Sequence, residues 1–332
     1  MTEASCGIKH KMGTVLVTIP VKDEHRPILE AAAPGWTFCY VNRLERPASA
    51  EEIASADVIL GNVPIKALAG AKKLAFLQLD SAGSTEYAAE GVLPESVVLA
   101  NASGSYGRTI AEYMVAATFA LMKRLPAYVK NKEEHVWKDE GKVKTVFGSK
   151  TLVIGAGDIG GEYAKRMAAL GSRVTGVRRT AGEKPDYLER LATIDELDSL
   201  LPEADIVACA LPGTPLTENL MNRERILSLK KGSLLINVGR GSLIDQDALL
   251  EGLAAGTPGA AALDVTTPEP LPADSPLWDA PNLIITPHVS GNYHTDDILN
   301  TVVEIAAGNL KAFLAGKPVR SEVDRRTGYR KS

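Results

Sequence analysis

The chain has 332 residues and a mass of 35.3 kDa, which at roughly 150 residues per domain predicts two domains. Hydrophobic residues are 45 % and charged residues 23 %, which excludes disordered, collagen-like and coiled-coil chains. Lys plus Arg (37) nearly balances Asp plus Glu (41), for a net charge of −4 and a pI near 5.8, so no broad basic face for nucleic acid is expected. No apolar run approaches the roughly 20 residues of a membrane span, and the first twenty residues hold only the short run Val15 to Ile19. The expectation is a cytoplasmic protein with no membrane partner. Cys6, Cys39 and Cys209 form no CxxC pair, so neither a disulfide frame nor a metal site is expected.

From about residue 13 to 100, β-rich runs (Thr14 to Ile19, Val58 to Leu60, Leu74 to Leu77, Val97 to Leu99) alternate with helical stretches, the pattern of a parallel sheet. Ser49 with Glu52 predicts a capping box at a helix start. A second box, Thr109 with Glu112, is read as opening a long helix from Ile110 to about Leu125, ended by Pro126. That helix is apolar on nearly every face, which suggests an interdomain or intersubunit element. After a polar stretch from Asn131 to Ser149, βα alternation restarts at Thr151 and continues to about Thr286, followed by a last helix, Asp296 to Leu314. The expected architecture is α/β, with two doubly wound parallel-sheet domains. The smaller is built from both chain ends (1–103 and 291–332), the larger (104–290) is inserted between them, and a cleft lies where they meet.

The sharpest local signal is Thr151-Leu152-Val153-Ile154-Gly155-Ala156-Gly157-Asp158-Ile159-Gly160, a strand running through GxGxxG into a helix. Glycines allow the tight turn and close approach to a pyrophosphate, and the helix N-terminus supplies N–H groups. A Rossmann-type dinucleotide site is predicted, with Gly155, Gly157, Asp158, Ile159 and Gly160 against the cofactor. The following strand, Arg173 to Val177, ends in Arg178-Arg179-Thr180, where an acidic residue would accept from the ribose of NAD. Two guanidinium groups and a hydroxyl suit a 2′-phosphate instead. NADP(H) is therefore the preferred cofactor, with NAD(H) still open.

Three ionisable residues follow strands of this second block: Arg240 after Leu234 to Val238, Glu269 after Ala260 to Val265, and His288 after Leu283 to Thr286. Strand ends are where open α/β sheets bind ligands. An anion holder, a carboxylate and an imidazole make a plausible set for reducing a ketone beside a carboxylate.

These segments, with Leu211-Pro212-Gly213-Thr214-Pro215-Leu216-Thr217, Asn237-Val238-Gly239-Arg240-Gly241, Ala262-Leu263-Asp264-Val265, Pro268-Glu269-Pro270-Leu271 and Thr286-Pro287-His288, resemble the D-isomer-specific 2-hydroxyacid dehydrogenases. The resemblance covers the second block almost wholly and extends more weakly into the first hundred residues. It implies a Rossmann cofactor domain inserted into a flavodoxin-like substrate domain. By the resemblance, Arg240 binds the substrate carboxylate and carbonyl, His288 is the general acid/base, and Glu269 pairs with it. Ala82 and Gly83, within Asp80 to Ser84, would hold the same carboxylate by backbone N–H groups. Leu211, Pro212, Thr217, Val238, Gly239, Asp264 and Gly291 would line the cofactor, with Asp264 on its nicotinamide side. A homodimer built on the cofactor domain is also implied.

The sequence departs from the family at Thr266-Thr267 and at Ser84-Thr85, which leaves substrate size open. Asn62, Val63, Tyr106 and Trp278 are candidate specificity residues, Trp278 being read chiefly as a packing anchor. Glu269 argues against the formate branch, which carries Gln there. The leading expectation is a glyoxylate/hydroxypyruvate-type reductase. The alternatives are an NAD-linked D-lactate or 3-phosphoglycerate dehydrogenase, and a non-enzymatic NAD(P)H-sensing module. His10, His25, His135 and His294 lie in no motif and are read as ordinary surface or packing residues.

Overall fold

A computed structural model of the chain describes residues 12–180 and 182–326, so Cys6 and His10 lie outside the described residues. Two compact units divide it. One holds the described residues up to Ser105 together with those from Tyr293 on, and the other is Tyr106–Asn292.

In the first unit, β1 (Thr14–Val17), β2 (Thr37–Tyr40), β3 (Val58–Leu60), β4 (Phe76–Gln78) and β5 (Val98–Ala100) form one parallel sheet in the order β2-β1-β3-β4-β5. Apart from the partly buried Thr14 and the polar Gln78, the central strands are apolar without alternation and buried, as a sheet covered on both faces requires. The Asp296–Leu314 helix covers one face through Ile298, Val302, Ile305, Ala306 and Leu310, spacings that keep one stripe inward. Its Phe313 ring stacks on Phe76 with centroids 4.8 Å apart. Asn309 on the same helix is buried, and it is satisfied by donating to Gln78 Oε1 at 2.7 Å and accepting from the Arg320 N–H at 2.7 Å.

The second unit contains β6 (Lys150–Ile154), β7 (Arg173–Arg178), β8 (Arg190–Thr193), β9 (Ile206–Cys209), β10 (Leu234–Asn237), β11 (Ala260–Leu263) and β12 (Leu283–Ile285). All pair in parallel, in the order β12-β11-β10-β9-β6-β7-β8. The chain runs outward from β6 to β8 and then returns to β9 on the other side of β6. That reversal is the switch point at which such sheets open to ligands.

The two edge strands β2 and β8 were not evident as strands in the sequence. β2 is only partly buried and β8 carries Arg190 and Thr193, so neither shows the apolar run that marks the interior strands. The long helix also differs from expectation. It spans Gly107–Met122 with Tyr106 at its N-cap and no side-chain cap bond, so Thr109 and Glu112 lie within it and form no box. A Cβ at Gly107 would fall 2.5 Å from the Asp158 carboxylate, so glycine there lets the first turn of the helix approach that residue. Pro126 belongs to a second helix, Leu125–Glu133, reached through Arg124 in a left-handed conformation. Within the unit the Gly107–Met122 helix buries one stripe, Ile110, Ala111, Met114, Ala117, Thr118 and Leu121, against the Asp158–Ala169 helix, where Thr118 Oγ1 meets the buried Tyr163 hydroxyl at 2.8 Å.

The Ser49/Glu52 box forms as expected. The Ser49 N–H donates to Glu52 Oε2 at 2.7 Å, the Glu52 N–H to Ser49 Oγ at 3.2 Å, and Arg46 grips the same carboxylate through both Nη groups. The Arg46 hydrogen bonds, then the Ser49 backbone N–H, hold the Glu52 carboxyl at about 2 against an ordinary 4.5. A carboxyl held down in the folded state stabilises that state above its ordinary pKa, and the gain is lost as pH falls through the folded value. Glu52→Gln is therefore expected to cost about 1 kcal/mol at neutral pH, with the gap from wild type closing as pH drops through about 2; urea unfolding across a pH series checks this.

Candidate active site

The glycine turn after β6 sorts its three glycines by what surrounds them. Gly155 has φ +96°, and a Cβ there would lie 2.8 Å from Ala210 O. At Gly160 a Cβ would fall 2.2 Å from Gly155 O, so that glycine is required by helix–strand packing. Gly157 has nothing within 4 Å of its Cβ position, and it caps the Asp158–Ala169 helix without a side-chain bond. The open middle glycine at a twelve-residue helix N-terminus is a cradle into which a pyrophosphate fits.

At the end of β7, Arg178 folds back so that its Nε donates to Ala156 O in the glycine turn at 2.9 Å. Arg179 and Thr180 are exposed beside it. The Arg178 guanidinium therefore stands at the edge of the same turn.

The loops after β9, β10 and β11 press backbone against backbone. A Cβ on Gly239 would meet Leu211 O at 2.4 Å, and one on Gly241 would meet Thr266 O at 2.0 Å. Gly213 leaves room for the stem of Arg240, whose Cγ lies 2.9 Å from where a Gly213 Cβ would be. Buried Asn237 shapes the turn into Arg240 by accepting from the Gly239 N–H at 3.0 Å and donating to Arg240 O at 2.8 Å. Arg240 itself is half-buried, with Nη1 donating to Gly239 O at 2.7 Å. Leu211 and Pro212 remain partly exposed, whereas Val238 and Thr217 are buried. Thr217 Oγ1 donates to Pro212 O at 2.7 Å, so its side chain holds its own loop.

His288 and Glu269 come together. His288 Nδ1 lies 2.9 Å from Glu269 Oε2, and Glu269 Oε1 is anchored by the Thr266 N–H at 3.2 Å. Gln246 brackets the neighbouring peptide, accepting from the Thr267 N–H at 3.0 Å and donating to Thr267 O. His288 has φ +54°, a conformation that costs a non-glycine residue energy. Asp264 sits beneath this loop, 1 % exposed. Its Oδ1 accepts from Thr286 Oγ1 at 2.6 Å and the Val289 N–H at 3.0 Å; its Oδ2 accepts from the Ser290 N–H at 3.1 Å and Ser290 Oγ at 2.5 Å. Gly291 follows, packed so that a Cβ would meet Ile110 Cδ1 at 2.7 Å.

In the smaller unit the loop Asp80–Ser84 follows β4. Asp80 is fully buried and accepts from Arg43 Nε at 2.9 Å, the Asn62 N–H at 3.0 Å and the Tyr293 hydroxyl at 2.7 Å. Asn101 Nδ2 donates to Ala82 O and Ser81 Oγ to Gly83 O, leaving the Ala82–Gly83 edge partly exposed. Asn62 is a member of this network, Val63 and Tyr106 are buried, and Trp278 is 52 % exposed with its indole N–H on Pro272 O. Trp278 is thus half-exposed and held by its indole N–H. Burial pushes the Cys209 thiol up to about 12, in keeping with an inert core residue. His25 is buried between the Lys22 N–H and Asn300, while His135 and His294 are exposed. Among the described residues no cluster of side chains could hold a metal ion.

Asn237, Gly213, Gln246, Thr266, Ser290 and Tyr113 shape this site without having been singled out as site residues. Asn237 carries a readable signal, since Asn two residues before a glycine favours a side-chain turn. Thr266 acts on Glu269 three residues on through its backbone N–H, which no side-chain pattern announces, and the others act through residues distant in sequence.

A seven-stranded parallel sheet with a glycine cradle at its switch point, and with a His–Glu pair and an arginine in the loops at its strand ends, defines a dinucleotide-dependent oxidoreductase. Residues 115–290 match the family described as D-isomer specific 2-hydroxyacid dehydrogenase, NAD binding domain. A glyoxylate/hydroxypyruvate reductase B of Pectobacterium atrosepticum is 32 % identical over 283 residues, 82 % of this chain and 86 % of that protein. Among solved structures, a D-isomer specific 2-hydroxyacid dehydrogenase family protein of Aeromonas salmonicida superposes with a TM-score of 0.82 at 30 % identity, covering 95 % of this chain and all of that one. A family enzyme of Xanthobacter autotrophicus, solved in complex with NADPH and MES, gives a TM-score of 0.81 at 27 % identity over 96 % of this chain and all of that one. The chain belongs to the D-isomer specific 2-hydroxyacid dehydrogenases.

The glycine geometry separates two variants. Gly160→Ala, with its Cβ 2.2 Å from a carbonyl, is expected to destabilise the protein by about 2 kcal/mol or more. Gly157→Ala is expected to destabilise it less, yet to weaken dinucleotide binding about tenfold by standing where the pyrophosphate approaches; thermal unfolding and a fluorescence titration with NADPH distinguish the two.

Proposed function

We propose that this protein reduces a small 2-ketoacid of the glyoxylate or hydroxypyruvate type to the D-2-hydroxyacid, with NADPH preferred over NADH. The observation that carries the reading is the 2.9 Å His288–Glu269 contact on the strand edge that also bears Arg240. Bound reduced nicotinamide supplies the hydride for the C2 carbonyl carbon. The carbonyl oxygen then needs a proton, and His288 delivers it from Nε2, because Nδ1 faces Glu269. Glu269, itself held by the Thr266 N–H, keeps the ring turned so that Nε2 stays available. Arg240 binds the substrate carboxylate in bidentate fashion and stabilises the charge that develops on the carbonyl oxygen.

On this reading residues 104–290 are the dinucleotide domain, and 1–103 with 291–332 are the substrate domain. Arg178, Arg179 and Thr180 receive the 2′-phosphate, which agrees with the NADPH bound in the Xanthobacter enzyme. Gly155 to Gly160, Leu211, Pro212, Val238, Gly239 and Gly291 line the cofactor, and Thr217 supports the loop that does so. The substrate class follows the Pectobacterium relative. We place the activity in the cytoplasm; among the described residues no helix is long and apolar enough to cross a membrane.

The protein acts as a homodimer through the segment 125–147. There Leu125, Val129, Val136 and Val143 are exposed, Phe147 is 78 % exposed and Trp137 wholly so. That much apolar side chain on one excursion of the cofactor unit calls for a covering surface, and a second copy presents the same patch in return. Trp137→Glu with Phe147→Lys is expected to shift sedimentation from dimer to monomer.

The assay follows reduced-nicotinamide absorbance with glyoxylate, hydroxypyruvate, pyruvate and a branched 2-ketoacid, each with NADPH and NADH. Turnover with NADPH favoured about tenfold or more is expected, and Arg178→Asp with Arg179→Asp should reverse that preference. His288→Ala should lower kcat by roughly 10²–10⁴. Absence of turnover with every pair would overturn the proposal.

A further inference from the structure

We infer that the Tyr113 hydroxyl is a positioning group for His288, acting through a directed hydrogen-bond chain that runs from Tyr113 to Thr286 to Asp264. The inference rests on the reading of His288 as the proton donor. Tyr113 lies on the Gly107–Met122 helix, and its hydroxyl meets Thr286 Oγ1 at 2.7 Å. Thr286 Oγ1 donates to Asp264 Oδ1 at 2.6 Å. A hydroxyl has one proton, so Thr286 spends its own on the carboxylate and Tyr113 must donate to Thr286. The direction of the chain is therefore determined.

Burial pushes the Tyr113 hydroxyl pKa up; the Thr286 hydrogen bond opposes this and the Asp264 charge reinforces it. Tyr113 thus remains a phenol that can donate.

The far end of the chain is the loop that carries the imidazole. His288 is two residues beyond Thr286, and its N–H donates to Asp264 O at 2.8 Å and to Thr286 O at 3.0 Å. Asp264 also takes the N–H groups of Val289 and Ser290, so the same residue grips the backbone on both sides of a histidine held at φ +54°. A left-handed histidine persists only where its surroundings over-determine it. With two donors on each oxygen, the Asp264 carboxylate has its acceptor sites filled. In this chain it therefore serves as the clamp of the histidine loop, not as a free acceptor for the nicotinamide amide.

Tyr113→Phe removes one oxygen and keeps the ring. It is expected to speed amide hydrogen exchange across residues 286–291 about tenfold, and to lower kcat for the best 2-ketoacid about tenfold with NADPH affinity unchanged. Thr286→Val should match its exchange rate, and Thr286→Ser, which keeps the hydroxyl, should restore the wild-type rate. Unchanged exchange or unchanged kcat in Tyr113→Phe overturns the inference. If that variant does not fold, the Thr286→Val and Thr286→Ser pair decides the same question by exchange. If the wild-type protein turns over no 2-ketoacid, the proposed function fails, and the exchange measurement still decides whether Tyr113 holds the loop.

Discussion

A buried carboxylate must be fully satisfied by hydrogen bonds, and that constraint at Asp264 organises the catalytic end of the larger sheet. An uncompensated buried charge costs several kcal/mol, so the chain after β12 has to bring donors to it. Thr286, Val289 and Ser290 do so within five residues, and the loop that results can hardly be drawn any other way. His288 sits in the middle of this arc, obliged into a left-handed conformation. Its imidazole then meets Glu269, whose other oxygen is held by Thr266.

The smaller unit uses the same device. Asp80, at the end of β4, is fully buried and gathers Arg43, the Asn62 N–H and Tyr293, so the loop bearing Ala82 and Gly83 starts from a fixed point. In both units a carboxylate at the carboxyl end of a parallel strand converts flexible connections into defined ones. Loops of this kind otherwise have few contacts to hold them.

Glycines supply the complementary constraint. Gly155, Gly160, Gly239 and Gly241 allow backbones to touch where any side chain would collide with a carbonyl oxygen. This draws the strand-end loops together and leaves Gly157 as the open position at the helix N-terminus. Gly213 does the same for the stem of Arg240. Preorganisation of this kind lets a site bind charge without rearranging at the moment of reaction.

How much of this was legible depended on sequence distance. The Ser49/Glu52 box, the GxGxxG turn and strands such as β6 and β10 are local patterns of capping, turn chemistry and apolar run, and they appear in the structure within a residue of where they were read. The edge strands β2 and β8 escaped because partial exposure removes the apolar run. The start of the Gly107–Met122 helix escaped because its N-cap, Tyr106, makes no side-chain cap bond and so leaves no capping pattern to read. The sequence by itself determined the two parallel-sheet blocks and the family, and it put forward Arg240, Glu269 and His288 as candidates, since each rests on short-range periodicity or an ordered motif. Only the tertiary structure decided that Asp264 is consumed as a clamp and that Tyr113, 173 residues from Thr286, completes it. Such a hydrogen-bond chain joins residues that no local pattern connects, and it exists only once the helix and the strand ends have packed.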